Sequence, residues 1–293
     1  MTNMQPEELA DYLVRRLQTY AHYICAFVFS DTKCCRIPVA SRLLIGLSGI
    51  PASGKSTLAE LIVQTTNELL QQVPEPSNDQ NRISTKAITV GLDGWHLTRA
   101  QLDAFPGDEA QLAHDRRGAH WTFDSSAYVA FIHSLRQPVT TTSAVITAPS
   151  FDHAVKDPTP EAIHIMPHHR IIVIEGLYTF LSIEPWCQGG RLLDERWFID
   201  VDIVEARRRL IARHVVTGVA RDWEEAIARA DKNDIPSMHL SGTIDPKSEH
   251  LILFCTDGIF IKDNVLTPTL IIPSANDPIL THVSNNRVAL QAK

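Results

Sequence analysis

Two hydrophobic rhythms alternate along the chain. Leu9, Leu13 and Leu17 recur every fourth position within Pro6–Tyr20, which predicts an amphipathic helix. Leu43-Leu44-Ile45-Gly46-Leu47 is instead a short apolar run of the kind carried by parallel strands buried on both faces. Gly49–Gly54 reads as a loop, and a helix is expected from Lys55, with Leu58, Leu61, Ile62, Thr65 and Leu69 on one stripe. Gln71–Thr85 is polar with two prolines, a surface loop. Further buried strands are predicted at Ala87–Leu92, Arg170–Ile174, Arg196–Val201 and Leu251–Cys255. Asp124 is a good N-cap for a helix through Ala127, Tyr128, Phe131, Ile132 and Leu135, stopped by Pro138. Val204–Val216 and Asp222–Asp231 read as helices, the second opening on Asp-Trp-Glu-Glu, a capping-box pattern. Ser143–Pro149 and Glu161–Met166 read as an antiparallel strand pair joined by a Pro/Asp-rich excursion, and the last forty residues are weakly patterned.

Strands alternating with helices imply an α/β fold: a mostly parallel sheet with right-handed crossovers and helices on both faces. Ligands of such sheets sit at the carboxyl ends of the strands, so the loops after Leu47, Leu92 and Ile174 are where chemistry is expected.

The first of these loops carries a phosphate-binding pattern. Gly49-Ile50-Pro51-Ala52-Ser53-Gly54-Lys55-Ser56 fits G-x-x-x-x-G-K-[ST] without a mismatch, between an apolar strand and an amphipathic helix. Backbone amides turned inward and the helix N-terminus attract phosphate oxygens. Lys55 is placed to reach the β- and γ-phosphates of ATP, the Ser56 hydroxyl to ligate Mg²⁺, and Thr57 to assist at the α-phosphate. The second loop begins Asp93-Gly94. An aspartate there can accept a substrate hydroxyl's proton as phosphate arrives, although Asp before Gly is also a common turn pairing. The third follows Ile171-Ile-Val-Ile174 with Glu175, a Walker-B-like carboxylate for Mg²⁺ or its waters; a structural pairing with an arginine is the alternative.

Other nucleotide-binding classes lack their marks. Asp231-Lys-Asn-Asp234 has the composition but not the order of a guanine-reading loop, and neither a protein-kinase set of motifs nor a transporter-type ATPase signature is present. A net charge of −7 argues against nucleic acid as a partner. The longest early apolar run, Ile24–Phe29, is far shorter than the ~20 residues of a membrane span, and Glu7, Glu8 and Asp11 disfavour a presequence. Five cysteines in no metal or disulfide spacing point to a reducing, cytoplasmic setting. His153, His164, His168 and His169 match no ligand spacing, and Trp95 and Trp121 suit core packing better than stacking on substrate.

Together these residues resemble the group of P-loop kinases that comprises phosphoribulokinase, uridine kinase and bacterial pantothenate kinase. Leu92-Asp-Gly-Trp-His96 is similar to the pantothenate-kinase form of the segment. Arg116-Arg-Gly-Ala-His-Trp-Thr-Phe-Asp124 resembles its R-K-G element, and Pro149-Ser-Phe-Asp152 with Lys156-Asp-Pro158 its P-x-Y-D and D-P segment. Glu175-Gly176 matches the family's Glu-Gly, and Arg209 and Arg213, followed by Gly218 and Arg221, resemble its basic lid. The resemblance spans Leu43 to Leu253 and is nearest the branch of bacterial sugar kinases and fungal homologues. It implies a P-loop NTPase fold with a helical lid near 205–232, ATP and Mg²⁺ as cofactors, and phosphotransfer to a hydroxyl of a sugar, nucleoside or pantothenate-like metabolite. Asp93 would be the base, with Lys55, Arg209 and Arg213 catalytic and Arg221 also closing on phosphate. Ser56 and Glu175 would hold the metal, and His96, Arg116, Arg117, Asp152, Lys156 and Tyr178 would face the acceptor. The rival reading is a nucleotide-dependent regulatory protein or slow ATPase without an acceptor. Residues 1–38 are expected to form a helical extension to a kinase domain over 39–293. The extension and the tail have no counterpart in the family, Phe151 stands where relatives carry Tyr, and homodimerisation is left open.

Overall fold

The computed structural model describes residues 6–14, 41–72, 85–152, 155–231 and 270–273. The apolar run after Arg42 becomes the central strand β1, Leu43–Gly49, buried along its whole length. It pairs in parallel with β5 (His169–Glu175) on one side and β6 (Glu195–Asp200) on the other. Lys86–Gly91 (β2) extends the sheet beyond β5, and Leu270–Pro273 (β7) beyond β6. Among the described residues the order is β2-β5-β1-β6-β7, all parallel.

Successive side chains of a strand point to opposite faces, so the continuous apolar runs feed two cores. Leu44, Ile172 and Ile174 join Tyr128, Phe131 and Ile132 of α5 (Ser125–Leu135) and Trp186 of α6 (Trp186–Arg191). Leu43, Ile45, Leu47, Ile171 and Val173 go to the other face, against Ala59 and Ile62 of α2 (Lys55–Gln72). Leu9 and Leu13, on a helix described over residues 6–14 (α1), are fully buried in that same second core, and the Tyr12 hydroxyl donates to Glu195 Oε1 at 3.1 Å. Residues 15–20 of the predicted N-terminal helix lie outside the described residues.

The predicted face of α2 is rotated in the structure. Ala59, Ile62 and Thr66 are buried, whereas Leu61 is 44% exposed. At 100° per residue Leu61 falls on the flank of the face centred on Ile62, and the sheet reaches only that centre.

The expected antiparallel pair is present and longer than its pattern suggested: β3 (Ile146–Asp152) and β4 (Asp157–Ile165) form a separate two-stranded sheet. The Pro/Asp-rich stretch continues the ladder, with Phe151 opposite Pro158 and Asp152 opposite Asp157. The predicted strand at Leu251–Cys255 lies outside the described residues, and the edge strand observed is β7, whose four residues are too few to show a rhythm.

Two short helices, α3 (Arg99–Asp103) and α4 (Asp108–Asp115), fill the segment after β2. After β6 come α7 (Ile203–Val216) and α8 (Trp223–Arg229). Asp222 caps α8 by accepting from the Glu225 amide, but the Glu225 carboxylate reaches the Arg221 amide instead of the cap's own, so half of the capping box forms. Ala206, Leu210, Ile211, Ala220, Ala226 and Ala230 join the two helices, and Ile50 and Ala52 of the loop after β1 belong to the same cluster. No described helix is long and apolar enough to cross a membrane.

Candidate active site

The loop between β1 and α2 is bent by two left-handed residues, Ala52 at φ 60° and Gly54 at φ 92°. An L side chain at Ala52 carries strain of about 1 kcal/mol or more, and the burial of its methyl in the α7–α8 cluster offsets it. A Cβ on Gly54 would meet nothing within 4 Å, so glycine is there for its backbone, and the space over the loop is open. Lys55 Nζ donates to the carbonyls of Gly49 at 2.9 Å and Ile50 at 3.0 Å, within the curve of the loop. Ser56 and Thr57 are exposed on the first turn of α2, where unpaired amides and the helix dipole favour anions.

The neighbouring strands deliver the carboxylates. Gly91 and Glu175 are register partners across β2 and β5, and Gly91 leads into a single 3-10 turn, Leu92–Trp95, that carries Asp93. Burial pushes the Glu175 carboxyl above its ordinary pKa; Asp93 and Glu60 add to this, while Lys55 and a hydrogen bond from Ser56 oppose it. Burial likewise lowers the Lys55 ammonium, with Glu175 and Asp93 pulling it up and Arg213 pushing it down. Lys55 is thus the shared neighbour of Glu175, Asp93 and Arg213, and the Asp93 side chain is 47% exposed. Among the described residues no three His, Cys, Asp or Glu side chains gather into a metal cage. The oxygen pair of Ser56 and Glu175 fits Mg²⁺, a hard cation that is usually held by one or two carboxylates plus substrate phosphates.

An aromatic wall stands beside Asp93. The His96 ring lies 3.9 Å from that of Phe123 and 4.8 Å from Phe151, centroid to centroid, and its Nδ1 is 2.8 Å from the Asp93 carbonyl oxygen. Tyr178 is buried and donates to the Gly118 carbonyl at 2.8 Å; burial raises its phenol pKa, the Asp93 charge adds to this, and Arg116 opposes it. Arg116 thus shares the Asp93 side of the site.

Other sequence-predicted residues are used elsewhere. Arg117 donates to the carbonyls of Lys156 at 2.5 Å and Leu97 at 2.8 Å and pairs with Asp157 at 2.9 Å. It ties the hairpin down, where a substrate clamp was expected. Asp152 and Lys156 shape the hairpin turn, the Lys156 amide donating to the Asp152 carbonyl at 2.7 Å. Arg209 is 3% exposed and pairs with Glu205 at 2.8 Å, and Arg221, with its side chain 87% exposed, pairs with Glu225 at 2.8 Å. Of the lid arginines, Arg213 is the one whose charge reaches Lys55. Trp95 is core, packed edge-on to Tyr128, whereas Trp121 is 37% exposed. Phe123, Gly118 and Asp157 have roles that no spacing announced; each sits inside a motif segment, which is the one signal that could have singled them out.

No family model matches the chain. An ATP-dependent kinase-like protein of Aspergillus versicolor, notR', is 46% identical over 143 residues, covering 49% of this chain and 82% of that protein. A candidate uridine kinase of Schizosaccharomyces pombe, C227.14, is 32% identical over 232 residues, covering 79% of this chain and 83% of that protein. The fold is similar to the crystal structure of YFH7 from Saccharomyces cerevisiae, described as a candidate P-loop kinase with a circular permutation. That match has a TM-score of 0.65 at 22% identity, over 94% of this chain and 100% of that one. With the phosphate loop and the parallel sheet in place, these relatives settle the lineage: the chain belongs to the phosphoribulokinase and uridine kinase group of ATP-dependent P-loop kinases.

Proposed function

We propose that this kinase transfers the γ-phosphate of ATP to a hydroxyl of a small metabolite, a sugar, a nucleoside or a pantothenate-like acid, with Asp93 as general base. The observation that carries the reading is geometric: Gly91, two residues before Asp93, and Leu47, two residues before the phosphate loop that holds Lys55, both lie in register with Glu175. Asp93 takes the acceptor's hydroxyl proton while the acceptor oxygen bonds to the γ-phosphorus. The bond from that phosphorus to the β–γ bridging oxygen breaks, and ADP leaves with the electron pair. Lys55 and Arg213 would meet the charge that develops on the transferring group. Ser56 and Glu175 would hold Mg²⁺, which when bound neutralises triphosphate charge. Arg116 and His96 face the acceptor, and the hydrogen bond of Tyr178 to Gly118 supports the loop that carries Arg116.

The test is Asp93→Asn, assayed for phosphorylated product with MgATP and a panel of uridine, hexoses and pantothenate. Loss of a general base lowers turnover by about 10²–10⁴-fold, and affinity for a fluorescent ATP analogue should stay within about twofold of wild type. Undiminished transfer by the variant removes Asp93 from the mechanism. Acceptor-independent ADP release alone, across the whole panel, replaces the reading with that of a slow ATPase.

A further inference from the structure

Asp93 is followed by a residue that admits no side chain. A Cβ on Gly94 would overlap the carbonyl oxygen of Pro149 and lie 2.6 Å from its carbonyl carbon, and backbone atoms cannot swing aside as a side chain can. Pro149 belongs to β3, so the hairpin backbone is pressed directly onto the turn that carries the base. On the opposite side a Cβ on Gly176 would overlap Leu92 Cβ and lie 2.9 Å from its Cδ2. The turn is held in a slot between the hairpin and the end of β5.

A second attachment fixes the hairpin's far end. Asp157, at the start of β4, accepts from the Arg99 amide at 2.9 Å, from Arg99 Nε at 3.2 Å and from Arg117 Nη2 at 2.9 Å. Arg99 Nη2 also donates to the Val155 carbonyl at 3.3 Å. Between the two attachments Phe151 packs on His96, which is itself bonded to the Asp93 carbonyl. Among the described residues the hairpin pairs with no strand of the main sheet, and a two-stranded ribbon alone is marginally stable in water. Its placement is therefore set by tertiary contacts: Ala148 and Ile165 enter the core against α5, Arg117 holds Lys156 and Asp157, and the turn at residues 94–99 meets Pro149, Phe151 and Asp157.

We propose that the β3–β4 hairpin positions Asp93 for phosphotransfer, with Gly94 as its seat and Asp157 as its latch, so that both are positioning residues acting through the turn. This rests on the reading of Asp93 as the base. Neither residue belongs to the phosphate loop, so nucleotide binding is expected to be indifferent to both, whereas a displacement of about 1 Å at the base can lower turnover by about 10²-fold.

The experiment uses the full chain with MgATP and an acceptor from the panel that wild type phosphorylates. Gly94→Ala should lower kcat by about 10²-fold and leave the affinity for the fluorescent ATP analogue unchanged. It should also raise the ADP released per acceptor phosphorylated, which a merely structural role would not move. Asp157→Asn, at a partly exposed site, should raise the acceptor KM about tenfold with the ATP KM unaltered, and Asp157→Glu should recover part of the loss. Wild-type kcat in Gly94→Ala together with a wild-type acceptor KM in Asp157→Asn overturns the proposal. So does equal loss of nucleotide binding and transfer in both variants. If wild type transfers to no acceptor, or if Asp93→Asn is fully active, the underlying reading fails first and this proposal with it.

Discussion

Ser56, on the first turn of α2, faces Glu175 at the end of β5, and its hydroxyl works against the burial that raises that carboxyl's pKa. The residues are far apart in sequence, and the parallel pairing of β1 with β5 is what brings them together. Glu175→Gln keeps the shape and removes the charge. It should raise the Mg²⁺ concentration needed for half-maximal turnover at least about tenfold, and second- and first-sphere changes of this type cost about 10–100-fold in metal affinity or activity. A Mg²⁺ titration of product formation at saturating ATP checks this. A titration curve that overlays wild type would take Glu175 out of the metal site.

Arg213 and Arg221 should part company under mutation. Arg213 acts on Lys55, whereas Arg221 is nearly fully exposed and engaged with Glu225. Arg213→Ala should lower kcat by about 10³-fold, the low end of what an arginine on a transferring phosphoryl group supplies. Arg221→Ala should stay within about threefold, because water screens an exposed ion pair and leaves it little to contribute. Steady-state kinetics on the two variants side by side decide it, and equal losses would contradict the placement.

Leu13 is fully buried in the core that also holds Ile45, Val173 and Trp197. Leu13→Ala should therefore destabilise the protein by about 2–5 kcal/mol, the range for deleting a buried leucine side chain. Urea unfolding followed by tryptophan fluorescence reads this out. A variant with wild-type stability would mean that α1 stands apart from the kinase core, as an independent extension would.

Stability should fall with acid well before the carboxylates titrate. His169 and His214 are each lowered to about 4, by burial first and then by neighbouring cations: His168, Lys86 and Arg42 for the one, Arg213 and Arg229 for the other. The unfolded chain takes up these protons near pH 6.5 and the folded chain does not until near pH 4. Stability is therefore fully present above pH 6.5 and is lost progressively as pH falls from there toward pH 4. Thermal unfolding across the range tests this, and His169→Gln should flatten the slope.

What the sequence disclosed was whatever local chemistry dictates. Gly49–Ser56 was readable because phosphate geometry fixes the spacing of its glycines and lysine. The strands β1 and β5 were readable because burial on both faces demands unbroken apolar runs, whereas β6 showed itself only through Trp197-Phe198-Ile199. The destinations of the arginines were hidden: Arg117 meets Asp157 and Arg209 meets Glu205 through tertiary placement and helix phase, which composition does not encode. The role of Gly94 was hidden for the same reason, since Asp-Gly reads as an ordinary turn until Pro149 is seen against it. The short helices α3 and α4 lack a rhythm because they rest on the site's edge, with one buried residue each, Leu102 and Ala113.

Ile50 and Ala52 share their apolar cluster with α7 and α8. Among the described residues the helical pair rests on the tip of the phosphate loop, through Ile50 and Ala52. A shift of α7 would press on those two side chains, which would couple the helical pair to the phosphate loop. Substitutions that stiffen the α7–α8 joint should accordingly register in how fast ADP escapes, before they register in which acceptor is chosen.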